Sequence, residues 1–194
     1  GDYFEDSSGA NNINWHVEAT SIWNNIGQNM GTDNGGHLNP FGEYHYHGAP
    51  ADYFGNTLGN DSTKHSSIVG YAADGFPIYY RYVYQDPNDT TSNIIAVNSG
   101  YSLKTGQRPG DGLTAPDGPY DGNYVEDYAY SSAILDSCNG RFGKTPEFPY
   151  GTYYYVITTN FPFIPRCFRG EFPDNTFRIG PGPACPASTA ATDC

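Results

Sequence analysis

Turn-forming residues recur so often in this chain that long helices have little room. Of its 194 residues, 24 are Gly and 15 are Pro, the two residues that most often stop a regular element. The same chain holds 18 Tyr and 11 Phe, and aromatic side chains suit half-buried strands. Together these features predict a mainly β, compact fold of short strands and many ordered loops, either sandwich-like or an irregular two-sheet arrangement. The length suits one domain. Residues 1–180 are therefore read as that domain, and 181–194 as a Pro/Ala/Ser/Thr tail.

One segment argues for a helix. Within 15–29, Trp15, Ala19, Ile22, Trp23 and Ile26 fall three and four positions apart and make one apolar stripe. Gly27 and Gly31 stop it, so a single N-terminal helix is expected there, with both Trp in its core contacts. Strand signals lie at 43–47, at 150–159, and on either side of Asp74-Gly75 within 65–84. An Asp-Gly pair between apolar runs is a hairpin signal. Pro77 either confines the second strand to an edge or starts it late. The runs Tyr79-Tyr80 and Tyr153-Tyr154-Tyr155 send rings to both faces of a strand. They fit a sheet covered on both sides, or a surface used in assembly or sugar contact. Residues 134–142 read as a short turn or helix end.

The charge balance excludes partners. With 9 basic and 21 acidic residues the formal net charge is −12. Such a surface repels nucleic acid and anionic lipid headgroups. No run approaches the roughly 18 apolar residues that a membrane span needs, so no membrane insertion is expected.

The four cysteines, Cys138, Cys167, Cys185 and Cys194, include no C-x-x-C pair, which argues for disulfides rather than a zinc ribbon. Three pairings are open. Cys138–Cys167 with Cys185–Cys194 is favoured, because the second bond closes a short tail. Disulfides imply an oxidising compartment, hence a secreted, extracellular protein. Two sequons, at Asn60 and Asn88, sit in polar turn-like stretches suited to glycans, although sequons also arise by chance in Asn-rich chains. The chain begins Gly-Asp-Tyr, which is read as the start of a processed mature fragment.

Chemistry concentrates in the histidines. His37, His45 and His47 follow an H-x7-H-x-H spacing, and His65 lies further on. Residues i and i+2 of a strand share a face, so His45 and His47 present two imidazoles together. Neutral imidazole is a ligand for copper and zinc. The alternative is that these histidines are structural or solvent-facing. Tyr44 and Tyr46, on the other face of the strand, are expected to pack in the core. Glu43 and Asp74 are candidates to orient a ligating imidazole.

The stretches GGHLNPFGEYHYHGAP and HSSIVGYAADGFPIYY, then LDSCNGRFGKTPEFPYGTYYYV and FPFIPRCFRG, resemble the YHYH domain family over about residues 30–170. The family takes its name from the tetrapeptide that here spans residues 44–47. The resemblance implies a pattern that includes His37, His45, His47 and His65, Asp74-Gly75 and Asn139-Gly140. It leaves His16 outside. It also implies further chain upstream, which in this sequence is cleaved, replaced or separate. The family is largely uncharacterised, so the resemblance implies little about activity.

A second cation site is conceivable in the Asp-Gly-rich loop, where Asp111, Asp117, Asp121 and Asp127 fall within seventeen positions. Calcium takes oxygen ligands from flexible loops of this composition, but the EF-hand spacing is absent. The alternative is a string of turns whose carboxylates bond their own backbone.

The leading functional expectation is an extracellular metal-binding domain for copper or zinc, with calcium as the weaker choice. A secreted structural or self-assembling protein with Tyr- and Asn-rich contact surfaces is the competing one. A metal-dependent hydrolase or oxidase is third. The sequence has neither the H-E-x-x-H nor the G-x-S-x-G signature, so enzyme status stays undecided and is weighted towards no.

Overall fold

The computed structural model describes residues 3–20, 36–38, 42–50, 53–54, 61–131 and 134–171. Among the described residues, the first strands are β1 (Tyr3–Glu5), β2 (Asn11–His16), β3 (Gly36–Leu38) and β4 (Tyr44–Tyr46). β5 (Ile68–Tyr71), β6 (Pro77–Tyr80), β7 (Tyr82–Tyr84) and β8 (Ile94–Ala96) follow. β9 (Tyr101–Leu103) and β10 (Tyr128–Tyr130) flank the Asp-Gly loop, and β11 (Gly140–Gly143) and β12 (Thr152–Ile157) complete the set. The protein is mainly β, as its turn density and aromatic content require, and its strands are spread over several small sheets. Among the described residues, no helix is long and apolar enough to cross a membrane.

Contacts divide the chain into two compact units. The first combines 1–48 with 101–131, and the second combines 49–100 with 132–194. In the first, β1 pairs with β2, β3 with β4, and β9 with β10, all antiparallel. The expected helix at 15–29 is corrected at its start, because Trp15 and His16 end β2. Cross-strand and cross-loop partners override the helical spacing there. The Trp15 ring meets Tyr124 edge-on at 5.7 Å, Val17 bridges Tyr124, and the Glu18 amide donates to the Asn123 carbonyl at 2.8 Å. Residues 21–29, with Trp23, lie outside the described residues.

The second unit is built on a four-stranded sheet of order β11-β12-β6-β5. β12 runs parallel to β6 and the other pairs are antiparallel. The Asp74-Gly75 hairpin forms between β5 and β6. Gly75 adopts φ +84°, and its amide donates to the Ala72 carbonyl at 2.9 Å. Pro77 begins β6 rather than confining it to an edge. Arg81, at φ +43°, kinks the chain so that β7 leaves the large sheet and pairs with β8.

Tyr79, Val83, Val97, Leu135, Tyr154 and Val156 form the core of this unit. Tyr79, Tyr80, Tyr154 and Tyr155 are buried, so the tyrosine runs on β6 and β12 pack inward. The segment after Ile134 leads into β11 through Asn139, at φ +61°, whose side-chain amide donates to the Val156 carbonyl at 2.8 Å and to Thr158 at 3.1 Å. Asn139-Gly140 is thus a buried bracket between strands. Glycine is needed at 140 because an added Cβ runs into the Tyr153 hydroxyl and comes within 2.8 Å of the Tyr154 carbonyl. Cys138 is disulfide-bonded to Cys167 with Cα atoms 5.0 Å apart, in agreement with the favoured pairing. Cys185, Cys194, the tail at 181–194 and the Asn60 sequon lie outside the described residues.

Candidate functional site

The strongest site geometry lies on the β3–β4 hairpin of the first unit. His45 lies in extended β4 and His47 directly follows its end, and the two side chains meet on one side. Their Nε2 atoms meet at 2.8 Å, with ring centroids 4.6 Å apart and planes tilted by 65°. The rings therefore converge tip to tip rather than stack. The register sets His37 directly across from His45; the His37 side chain is not among those described. His45 Nδ1 faces the main-chain carbonyl of Glu43 at 3.4 Å. A backbone oxygen thus faces the ring from behind.

Tyr44 and Tyr46 do not enter a core. They are 54% and 47% exposed and meet each other edge-on at 5.3 Å. Both rings close over Gly36, where an added Cβ comes within 2.7 Å of the Tyr44 hydroxyl and 2.9 Å of the Tyr46 ring. A side chain at 36 therefore displaces both rings. The alternation of the strand holds, but the face opposite the histidines is a solvent-facing pair of aromatics.

His65 belongs to the second unit. It is buried, 5% exposed, among the rings of Tyr79, Tyr84 and Tyr154 at 4.9, 4.9 and 5.9 Å. Its Nδ1 donates to the Ser66 carbonyl at 2.9 Å, and its buried Nε2 has no hydrogen-bond partner. Burial pushes the imidazole below its ordinary value. The Ser66 carbonyl and the Glu147 charge oppose that shift, while Arg141 adds to it. Tyr79 donates towards Thr145 and Glu147 at 2.9 Å each. Arg141 donates to the Tyr154 hydroxyl at 2.6 Å and to the Tyr84 carbonyl, and its guanidinium also lies over the Tyr154 ring. Arg141 thus pairs with a phenol and a backbone oxygen.

Asp74, expected to orient a histidine, serves the hairpin corner instead. Its Oδ2 accepts from the Tyr155 hydroxyl at 2.6 Å and from the amides of Arg169 and Gly170 at 3.1 and 2.9 Å. Tyr153 donates in the same way to Asp136, at 2.9 Å to Oδ2. Alternate tyrosines of β12 therefore anchor two separate carboxylates.

The Asp-Gly loop is organised by a cation of the chain itself. Arg108 is the sole arginine within 1–48 and 101–131. It donates from Nε and Nη2 to the two oxygens of Asp127 at 2.8 and 2.7 Å, and also to Asp121 and the Asp117 carbonyl. Asp127 also accepts from the Gly122 amide at 2.9 Å. Burial raises its carboxyl, but the bonds and charge of Arg108 prevail and hold it below its ordinary value. Asp111 caps its own turn, with amide donors from Leu113 at 2.9 Å and Thr114 at 2.7 Å. Those bonds, Thr114 first, lower its pKa. Three of the four loop aspartates thus have their side-chain oxygens engaged by Arg108 or the local backbone. Arg108 escaped notice in the sequence because spacing alone does not reveal which carboxylates converge on one guanidinium.

His16 pairs with Glu126, Nδ1 to Oε1 at 2.6 Å, within the first unit. Asn88 is exposed in the turn after β7. Among the described residues, no group of three or more His, Cys, Asp or Glu is gathered as for a metal ion.

A family profile described as YHYH protein matches residues 2–170. The chain belongs to the YHYH protein family. The match starts well before the first resembling block in the sequence, so β1 and β2 fall inside the family region, as does the second unit of this YHYH protein up to residue 170. No curated protein and no solved structure matches it.

Proposed function

We propose that this YHYH protein is an extracellular metal-binding domain whose site is the β3–β4 hairpin, with copper or zinc as the ion. One observation carries the reading: the Nε2 atoms of His45, in β4, and His47, directly after it, converge to 2.8 Å on one side. Two imidazole nitrogens brought tip to tip are prepared for one shared ion. His37, opposite His45 in register, is the third donor. The Glu43 carbonyl behind His45 is the kind of backbone partner that fixes the ring of a ligating histidine. An extracellular setting is supported by the Cys138–Cys167 disulfide. His65 is left out of the site, because its surroundings of Tyr79, Tyr84 and Tyr154 account for its burial.

Titration of the protein with copper(II) and zinc(II) by calorimetry tests this. The expected result is one equivalent bound by the wild type and loss of tight binding in the His45→Ala/His47→Ala variant. Equal stoichiometry in both proteins removes the site.

A second reading has its own observation. Tyr44, Tyr46, Tyr71 and Tyr150 are exposed large aromatics, Tyr150 at 96%, as a self-associating surface protein requires. Light scattering that grows with protein concentration in the absence of metal supports that reading instead.

A further inference from the structure

Resting on the extracellular reading above, we propose that Asn88 carries an N-linked glycan, with Thr90 as the hydroxyl that the transferring enzyme reads. The loop at 85–93 joins β7 to β8 and is tied together by its own polar groups. Asp86 Oδ1 accepts from the Asn88 amide at 2.8 Å. Ser92 Oγ accepts from the Asp86 amide at 3.1 Å and donates to the Asp89 carbonyl at 2.8 Å. Asp89 Oδ1 accepts from the Thr91 amide and hydroxyl at 2.8 and 2.6 Å. Asn93 Nδ2 donates to Gln85 Oε1 at 3.4 Å. From outside the loop, the Lys144 amide donates to the Pro87 carbonyl at 2.7 Å, which fixes the turn against the end of β11.

Two polar side chains stand apart from this network. Among the described residues, neither Asn88 nor Thr90 has a side-chain hydrogen-bond partner, and both residues are exposed. They are the first and third residues of Asn88-Asp89-Thr90, the positions whose side-chain amide and hydroxyl define an N-glycosylation acceptor. Asp89 between them turns its carboxylate to Thr91, so it leaves the Thr90 hydroxyl open. An N-glycan is bulky and needs a surface position, and a sugar on Asn88 Nδ2 breaks none of the hydrogen bonds that shape the loop. In the transfer, Nδ2 forms a bond to C1 of a sugar chain carried on a lipid diphosphate. The C1–O bond to the diphosphate breaks, the diphosphate leaves with the electron pair, and Nδ2 gives up one proton.

The test is peptide mass spectrometry on protein isolated from its source, treated with peptide N-glycosidase in heavy-oxygen water and cut with trypsin. The expected result is conversion of Asn88 to heavy-labelled Asp in the peptide Tyr82–Lys104. Secretion of variants from a eukaryotic host then reads the acceptor. The glycan should be lost in Asn88→Gln and in Thr90→Ala, and kept in Thr90→Ser and in Thr91→Ala. Asn88→Gln should melt together with the enzymatically deglycosylated wild type, because the Asn88 side chain has no partner to lose. A glycan that survives Thr90→Ala overturns the role of Thr90. Unmodified Asn88 in native protein whose Cys138–Cys167 bond is formed overturns the glycan and leaves the extracellular reading standing. Native protein with both cysteines reduced and Asn88 unmodified overturns both.

Discussion

Arg108 and Asp127 form a two-pronged pair, with Nε and Nη2 each on one carboxylate oxygen at 2.8 and 2.7 Å. Neither side chain is more than 5% exposed. Removing the Asp127 carboxylate leaves buried Arg108 with only the partly exposed Asp121 as a charged partner, at a cost approaching the roughly 3–5 kcal/mol of a broken buried pair. Asp127→Asn keeps the volume, loses the charge, and should lower the stability of the first unit by an amount of that order. Urea unfolding followed by tryptophan fluorescence, to which Trp15 contributes, measures it. A loss of under about 1 kcal/mol, the range of an exposed pair, contradicts the assignment.

The second unit should weaken in mild acid through His65. Its imidazole is held below the ordinary value near 6.5, first by burial. The unfolded chain therefore takes up this proton before the folded one does. Stability from His65 is complete above about pH 6.5 and is lost as the pH falls from there towards the lower folded value. The slope is at most about 1.4 kcal/mol per pH unit for one proton. His65→Phe, which keeps a ring among Tyr79, Tyr84 and Tyr154, should remove that part of the slope. Denaturation midpoints of both proteins between about pH 7.5 and 5 give the difference, and parallel curves contradict the prediction.

The disulfide should be a major support of the second unit. Cys138 and Cys167 are separated by 29 positions, and closing a loop of that size restricts the unfolded chain by about 3–4 kcal/mol. Replacing both cysteines with Ser should lower thermal stability accordingly. A wild-type protein whose melting is insensitive to reductant argues against the bond.

What the sequence revealed, and what it concealed, follows from the range of the interactions. Short-range rules placed the β5–β6 hairpin at Asp74-Gly75, the buried tyrosine runs of β6 and β12, and the same-side pair at the end of β4. Trp15 and His16 were misread because a spacing of three and four describes a helix only where no partner competes. Tyr124 and Glu126, more than a hundred positions away, supply the competing contacts. The outward face of Tyr44 and Tyr46 was missed for a related reason. Alternation says that two faces differ, and it does not say which one meets solvent. Arg108 remained hidden because convergence of Asp117, Asp121 and Asp127 on one side chain depends on the fold of the whole loop.

The glycine beneath the two exposed tyrosines makes a local prediction. Gly36→Ala places a methyl group 2.7 Å from the Tyr44 hydroxyl and 2.9 Å from the Tyr46 ring. It should shift those rings and the β3–β4 register, weakening metal affinity without altering the second unit. Proton resonances of the His45 and His47 rings report the shift, and unchanged resonances contradict it.

The central claim is that His45 and His47 hold a transition metal. The most direct test is elemental mass spectrometry on protein loaded with copper and zinc in competition, dialysed, and compared with its His45→Ala/His47→Ala variant. The account predicts about one equivalent of metal in the wild type and next to none in the variant. Equal metal content in the two proteins, or none in either, contradicts it.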